Sequence, residues 1–493
     1  MVTKLRIGKA SNIGRRRMGL SAFLLGLLIT AAPELLGVGN TAIDPGANLN
    51  APPRAGGPLP GLSAGEMALF NAGLTAFTQR QSVDGSFVGP IFGAETGEGL
   101  GPRFNSNSCA SCHIQPTVGG TSPIINPQFA IASDAGATNT IPSFITKNGP
   151  IREARFPLVV DANGQIVKPP MRDGGVHALF TITGRADAPG CNIGQPPFDV
   201  VQAQNNLSFR IPTPVFGAGL IEAIADSTIL ASHAGTHTAR LAMAIAGREN
   251  RGRENRTGND STITRFGWKA QNKSLLIFAG EAYNVEMGVT NELFQNERDT
   301  EPTPLPASCI FSGIPEDHTD FDKVGQPGAT FADVASDIVQ FEFFMRFLAP
   351  PKPSCDSFAG SCPFNIQRGR AAFDRIGCAL CHTPQLAVST SSSDAITKQG
   401  TARLFSDLLV HHMGNQLADG VTQGLAGDDE FRTAPLWGVG QRVFFLHDGR
   451  TSNLVDAIQQ HASPGSEANL VIAYFNRLPV YEQQSIIDFL RSL

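Results

Sequence analysis

The sequence predicts a mainly α chain in which two helical units are separated by a long loop-rich insert that carries some β-strands. Three observations lead there. Apolar residues recur at helical spacing near both ends, as Met67, Phe70, Leu74 and Phe77 and again from Tyr481 to Leu493. A Cys-x-x-Cys-His pentapeptide stands in each half, at Cys109-Ala-Ser-Cys112-His113 and Cys378-Ala-Leu-Cys381-His382. Finally, 52 Gly and 34 Pro in 493 residues demand many turns and irregular connections.

The first forty residues have the shape of an export signal. Lys4, Arg6, Lys9 and Arg15 to Arg17 precede an apolar run from about Met18 to Ala32, and the first acidic residue is Glu34. That run is short for a spanning helix. Residues 1–42 are thus read as a signal peptide with a weakly defined cleavage point near Ala42, or as an uncleaved N-terminal anchor. The expected location is periplasmic or secreted.

The pentapeptides carry the chemistry. Cysteines three positions apart can each form a thioether to one vinyl group of a porphyrin, and the histidine that follows reaches the iron. By composition, with eight Cys and ten His, roughly a few thousandths of one such pentapeptide would arise by accident. A zinc ribbon needs two Cys-x-x-Cys knuckles close together, and a dithiol redox pair gives no reason for histidine after both. Two covalently bound haem c groups are expected, on Cys109, Cys112 and His113 and on Cys378, Cys381 and His382. Covalent attachment in bacteria takes place outside the inner membrane, which agrees with the export signal.

Between the motifs, Phe156–Val160 and Gln165–Val167 flank Asp161-Ala162-Asn163-Gly164 as a hairpin. The Arg248–Arg256 run mixes signs and reads as a solvated loop. With a net charge of −5 and no basic tract, nucleic acid is not an expected partner. Cys355 with Cys362, and Cys191 with Cys309, are candidate disulfides in an oxidising compartment, with free buried thiols as the alternative. Before the second motif, Gly369 and Phe373 stand four apart on one helical face. With the C-terminal helix this resembles a cytochrome c fold, in which first and last helices pack together beside the haem. The divisions drawn are 60–330 for an N-terminal haem domain with its insert and 331–493 for a C-terminal cytochrome c-like domain.

Further stretches resemble the di-haem oxidoreductase (thiol oxidoreductase) family, within the wider di-haem cytochrome c peroxidase superfamily. They are Gly99–Asn105, Gly174–His177 with Thr181–Arg185, Arg210–Ile224, Arg265–Ala270, Phe344–Pro351 and Phe445–Arg450. Together they cover the chain from about residue 60 to the end. In that superfamily the distal ligand of the second haem follows the His-Asp-Gly segment by about fourteen residues. Counted from His447, the position is His461, which implies bis-histidine ligation by His382 and His461 and a lowered potential. Met413, His411 and His412 compete for the role. The corresponding distal position of the first haem is Phe129. An open iron is then expected there, unless His177 folds back as a sixth ligand.

Glu222 is the candidate general acid or base, with Arg210 as charge stabiliser; a helix-terminal or ion-paired role is the alternative for Glu222. Only 2 Trp and 3 Tyr accompany 32 Phe, so Trp268 and Trp437 are the few aromatic relays, and Trp437 is expected on the inter-haem path. The resulting expectation is a peroxidase-like di-haem oxidoreductase, with hydrogen peroxide or dioxygen as oxidant and a protein or small-molecule reductant. The alternatives are a di-haem oxygenase or maturation oxidase and a non-catalytic electron carrier. Calcium is a cofactor of related peroxidases; no ligand set maps onto this sequence.

Overall fold

The computed structural model describes residues 41–89, 93–251, 262–298, 305–311, 313 and 315–493. The leader reading of residues 1–42 therefore lies, apart from its last two positions, outside the described residues, as does the 252–256 part of the basic and acidic run. The described chain from Thr41 to Leu493 is one compact unit. It contains fifteen α-helices, many of one turn, and six small antiparallel sheets of two or three short strands. The class is mainly α, as expected. Among the described residues no helix is long and apolar enough to cross a membrane.

Two helix crossings build the cores. The helix Ala64–Thr78 starts at a capping box, in which the Ser63 hydroxyl accepts from the Glu66 N–H and the Glu66 carboxylate accepts from the Ser63 N–H. Its buried face is Phe70, Gly73 and Phe77. It lies against Asp337–Phe347 so closely that a Cβ on Gly73 would sit 2.2 Å from the Gln340 carbonyl oxygen. Phe77 packs on Phe344 with ring centroids 4.7 Å apart.

The second crossing repeats this device. Phe364–Ile376 ends at Gly377, whose φ of +100° closes the helix in the left-handed region that glycine tolerates best. A Cβ on Gly369 would stand 1.8 Å from the Ser485 carbonyl oxygen of Val480–Ser492. Phe373 and Phe489 meet edge to face at 5.5 Å. The chain near Thr41 is stapled to the same end, where Arg491 donates to both Asp44 carboxylate oxygens at 2.7 Å.

The intervening residues run mainly as loops. The expected hairpin is present as a Val160–Ile166 bridge, with the Asp161 side chain accepting from the N–H groups of Asn163 and Gln165 at 2.9 Å. Both disulfides form: Cys355–Cys362 closes a local loop and Cys191–Cys309 spans 118 residues. One long helix of this region, Leu275–Met287, is capped by Ser274 and ends at Gly288. The helix Asp337–Phe347, beyond residue 330, is the packing partner of Ala64–Thr78.

Replacing Gly369 by alanine forces a methyl group into a backbone oxygen, and overpacking of this kind costs about 3 kcal/mol. Denaturant unfolding should show that loss, whereas Gly235→Ala, with nothing within 4 Å of the added Cβ, should leave the midpoint nearly unchanged. Equal midpoints for Gly369→Ala and the parent would refute the close crossing.

Candidate functional site

Each Cys-x-x-Cys-His motif follows one of the crossing helices and forms a tight helical turn, Cys109–Cys112 and Cys378–Leu380. The four cysteines are unpaired and half-buried, while the other four are joined as disulfides. Each motif's two cysteines and histidine line one cavity. Burial pushes the Cys112 and Cys378 thiols up to about 12 and raises Cys109 as well. Uncharged thiols in an apolar wall suit a hydrophobic macrocycle.

The two histidines are oriented alike. His113 Nδ1 lies 3.1 Å from the Gly120 carbonyl oxygen, and His382 Nδ1 lies 3.0 Å from that of Phe405. Nδ1 is therefore the donor in each ring; at His382 Nε2 keeps its lone pair for the cavity, while the His113 ring also meets the Thr213 carbonyl. Burial pulls both imidazoles down to about 4, so both are neutral. Aromatic edges fix the rings further: Phe77 is 6.0 Å from His113, and Phe373 is 6.2 Å from His382. These residues fit a haem at both sites. Among the described residues no three His, Cys, Asp or Glu converge as a bare ion requires. A porphyrin supplies four nitrogens itself and asks the protein for only one or two.

His461 lines the second cavity with His382. It is half-buried, its Nδ1 donates to the Ala457 carbonyl at 2.7 Å, and its Nε2 is thus left as the acceptor. Of the competitors, His411 has both ring nitrogens engaged, by Glu467 at 2.8 Å and Asp407 at 3.0 Å. His412 is exposed and paired with Asp429. Met413 does line the cavity.

The first cavity holds His113 and no second histidine among its lining residues. His177 is buried elsewhere, stacked on Phe156 at 3.6 Å with Nε2 2.9 Å from Asp173. The side chains of Met287 and Met345 line this cavity. Phe129 packs against the core instead.

Glu222 lines neither cavity. One of its oxygens accepts from the Leu275 N–H at 2.8 Å, at the start of a helix, and the other pairs with Arg346 at 2.9 Å. The helix-terminal, ion-paired role holds in the structure, and a catalytic role has no support from position. Arg210 does reach the first cavity, but its guanidinium is bound to Asp419 at 2.6 Å. The acids on that wall are Glu153 and Glu286, which hydrogen-bond to each other; Asn105 donates to Glu286 at 2.8 Å. Burial, then the Glu153 charge, pushes Glu286 up to about 8. Arg155 pairs with Glu153. The one sequence signal for Glu286 was its place on the helix Leu275–Met287, whose apolar stripe it interrupts.

Trp268 lines both cavities, and its indole N–H donates to the Ile211 carbonyl at 2.9 Å. Trp437 lines neither of these cavities and stands instead in a smaller third cleft. The expected relay is therefore corrected: Trp268, and not Trp437, stands in the shared wall.

A mainly helical fold with two cavities of this kind suits a haem oxidoreductase. The family described as "di-haem oxidoreductase, putative peroxidase" matches residues 177–493, and the chain belongs to it. That match contains the second motif and begins after the first. Two solved structures give remote likeness. Hydrazine synthase from Kuenenia stuttgartiensis, pressurized with xenon, has 12% identity over 96% of this chain and 100% of that one, with a TM-score of 0.31. A MauG-like protein associated with microbial copper homeostasis has 17% identity over 50% of this chain and 77% of that one, with a TM-score of 0.26. Neither superposition is close enough to support a functional argument. No curated protein matches the chain.

The Glu286 assignment has a pH signature. Its folded-state value of about 8 stands above the ordinary 4.5, so the folded protein binds the extra proton and loses stability as pH rises from about 4.5 to 8. Glu286→Gln carries no such titration. Its stability relative to the parent should rise through that window, and a pH-independent difference in denaturant midpoints would count against a buried, protonated Glu286.

Proposed function

We propose that the chain is a periplasmic di-haem c-type oxidoreductase of peroxidase-like activity. Cys109 and Cys112, and Cys378 and Cys381, bind two haems covalently, with His113 and His382 as proximal ligands and His461 as second ligand at the C-terminal site. Each crossing, with its motif, is then one cytochrome c-like module. The observation that carries the reading is the repeated geometry: a neutral histidine, fixed through Nδ1 by a backbone carbonyl, faces a cavity that also receives its two thiols. The haem iron, when bound, supplies the one-electron redox change and, at the N-terminal site, a coordination position for an oxidant such as hydrogen peroxide.

The remaining work falls to side chains. Glu286 holds a proton at neutral pH inside the first cavity, where peroxide cleavage requires one at the departing oxygen. Glu153 shares that proton, and Arg155 balances the charge left behind. Trp268 bridges the two cavities as an oxidisable ring, so it is the chain's own route for electrons coming from the C-terminal site. The two disulfides support an oxidising compartment, and with it the periplasmic location. A reduced redox protein or small-molecule donor is the expected partner.

Met287 and Met345 favour one second reading, because a thioether ligand to the first iron would give a non-catalytic electron carrier. Electron paramagnetic resonance of the oxidised full chain, before and after cyanide, separates the two. A high-spin or cyanide-responsive signal beside a low-spin bis-histidine signal is the expected result. Two low-spin signals unmoved by cyanide would establish the carrier, and a preparation without covalent haem would refute both.

Transient kinetics test the bridge. Trp268→Phe should slow electron transfer between the haems, while Trp437→Phe should match the parent; the reverse pattern would return the role to Trp437.

A further inference from the structure

Two arginines in the wall of the Cys378–Cys381–His382 cavity have no acid to pair with. Arg432 and Arg442 are 9% and 8% exposed, and both line this cavity as well as the smaller cleft beside Trp268. Arg432 closes the short strand Glu430–Arg432, where its backbone N–H donates to the Trp268 carbonyl at 2.8 Å. Its Nε donates to the Gly267 carbonyl at 3.0 Å, and its Nη1 is buried without any hydrogen-bond partner. Arg442 follows the helical turn Val439–Gln441. Among the described residues its guanidinium makes no hydrogen bond or ion pair, and burial pulls it down to about 10.

Several other arginines in the interior meet an acid, while Arg240 is held by the carbonyls of Ala246 and His233. Arg155 pairs with Glu153, Arg210 with Asp419, Arg265 with Asp226 and Arg491 with Asp44. Two unpaired guanidinium groups in one wall repel each other and forfeit their hydration, a cost that anions in the cavity would offset. The anions must enter from the cavity, because the protein side supplies none. A guanidinium fork matches a carboxylate with two parallel hydrogen bonds. The porphyrin carries two carboxylates, one for each arginine.

We infer that Arg432 and Arg442 bind the two propionate groups of the C-terminal haem and so turn its acidic edge toward Trp268. The inference rests on the reading that this cavity holds haem. It extends that reading by assigning recognition of the macrocycle's charged edge to two residues beyond the Cys-x-x-Cys-His motif. Compensated propionates stay ionised without an excess of negative charge near the iron. Removing one arginine leaves an anion that stabilises the oxidised iron and titrates at higher pH.

The test uses Arg432→Gln and Arg442→Gln in the full chain, with haem counted by pyridine haemochrome. Both haems should remain attached. One of the two waves in a potentiometric titration should fall by at least a tenfold change in the one-electron equilibrium, about 59 mV, and should become pH-dependent. Redox difference infrared spectra should show shifted propionate carboxylate bands. Lysine at either position keeps the charge and loses the fork, so it should restore the potential while the bands stay shifted. Unchanged potentials and bands in the Gln variants, with two haems bound, would overturn the inference and leave the di-haem reading intact. Parent protein without covalent haem would overturn both. Should a Gln variant fail to accumulate, the Lys variants decide: unshifted bands there overturn the inference.

Discussion

A carbonyl oxygen pressed against a glycine is the contact on which the rest of this architecture depends. Gly73 admits the backbone of Asp337–Phe347, and Gly369 admits that of Val480–Ser492. In each case a phenylalanine follows four residues later, Phe77 or Phe373, on the same helical face. That ring then touches both the partner helix and the motif histidine. The crossing therefore does more than bury apolar area. It fixes the distance from core to motif, so the histidine inherits its position from helix packing and its rotation from one carbonyl hydrogen bond. Any side chain at the glycine would move helix, ring and ligand together.

Between the two cavities the protein accepts a layer of buried charge. Asp419 binds Arg210 at 2.6 Å and Lys269 at 3.1 Å, and Lys269 also donates to the carbonyls of Gly427, Asp428 and Glu430. Its ammonium lies 4.0 Å from the Phe431 ring centre, and Phe431 stacks on His447. Burying such groups is costly unless all are paired. Here they tie the 419–430 loop to the residue next to Trp268, and so hold the shared wall of the two cavities in one register.

The local features were legible in sequence. Motif spacing, the stripe from Met67 to Phe77, the C-terminal helix, the Asp161–Gly164 turn and both disulfides each depend on few residues and strong stereochemical rules. The cavity walls were not legible, because their members come from distant segments. Glu286 and Glu153 meet only when a helix and a strand far apart in the chain converge. Glu222 looked catalytic as an acid at the end of an apolar run, yet its partners, Leu275 and Arg346, lie 53 and 124 residues away. Trp268 and Trp437 could not be ranked without knowing which wall each occupies. His461 stood on the spacing of a resemblance, and the structure puts it in the same cavity as His382.

The eight cysteines divide into two populations with opposite needs. Cys191, Cys309, Cys355 and Cys362 are joined as disulfides, whereas Cys109, Cys112, Cys378 and Cys381 remain thiols. On the proposed reading all eight meet the same oxidant during maturation, and four must be reduced at the moment the porphyrin is attached. A Cys-x-x-Cys pair is itself easily oxidised to a disulfide. Biogenesis of this chain is consequently a sorting problem: a reductant must reach the motif cysteines without opening the 118-residue loop held by Cys191 and Cys309, and the burial of Cys309 gives the folded insert a way to keep its own bond out of reach.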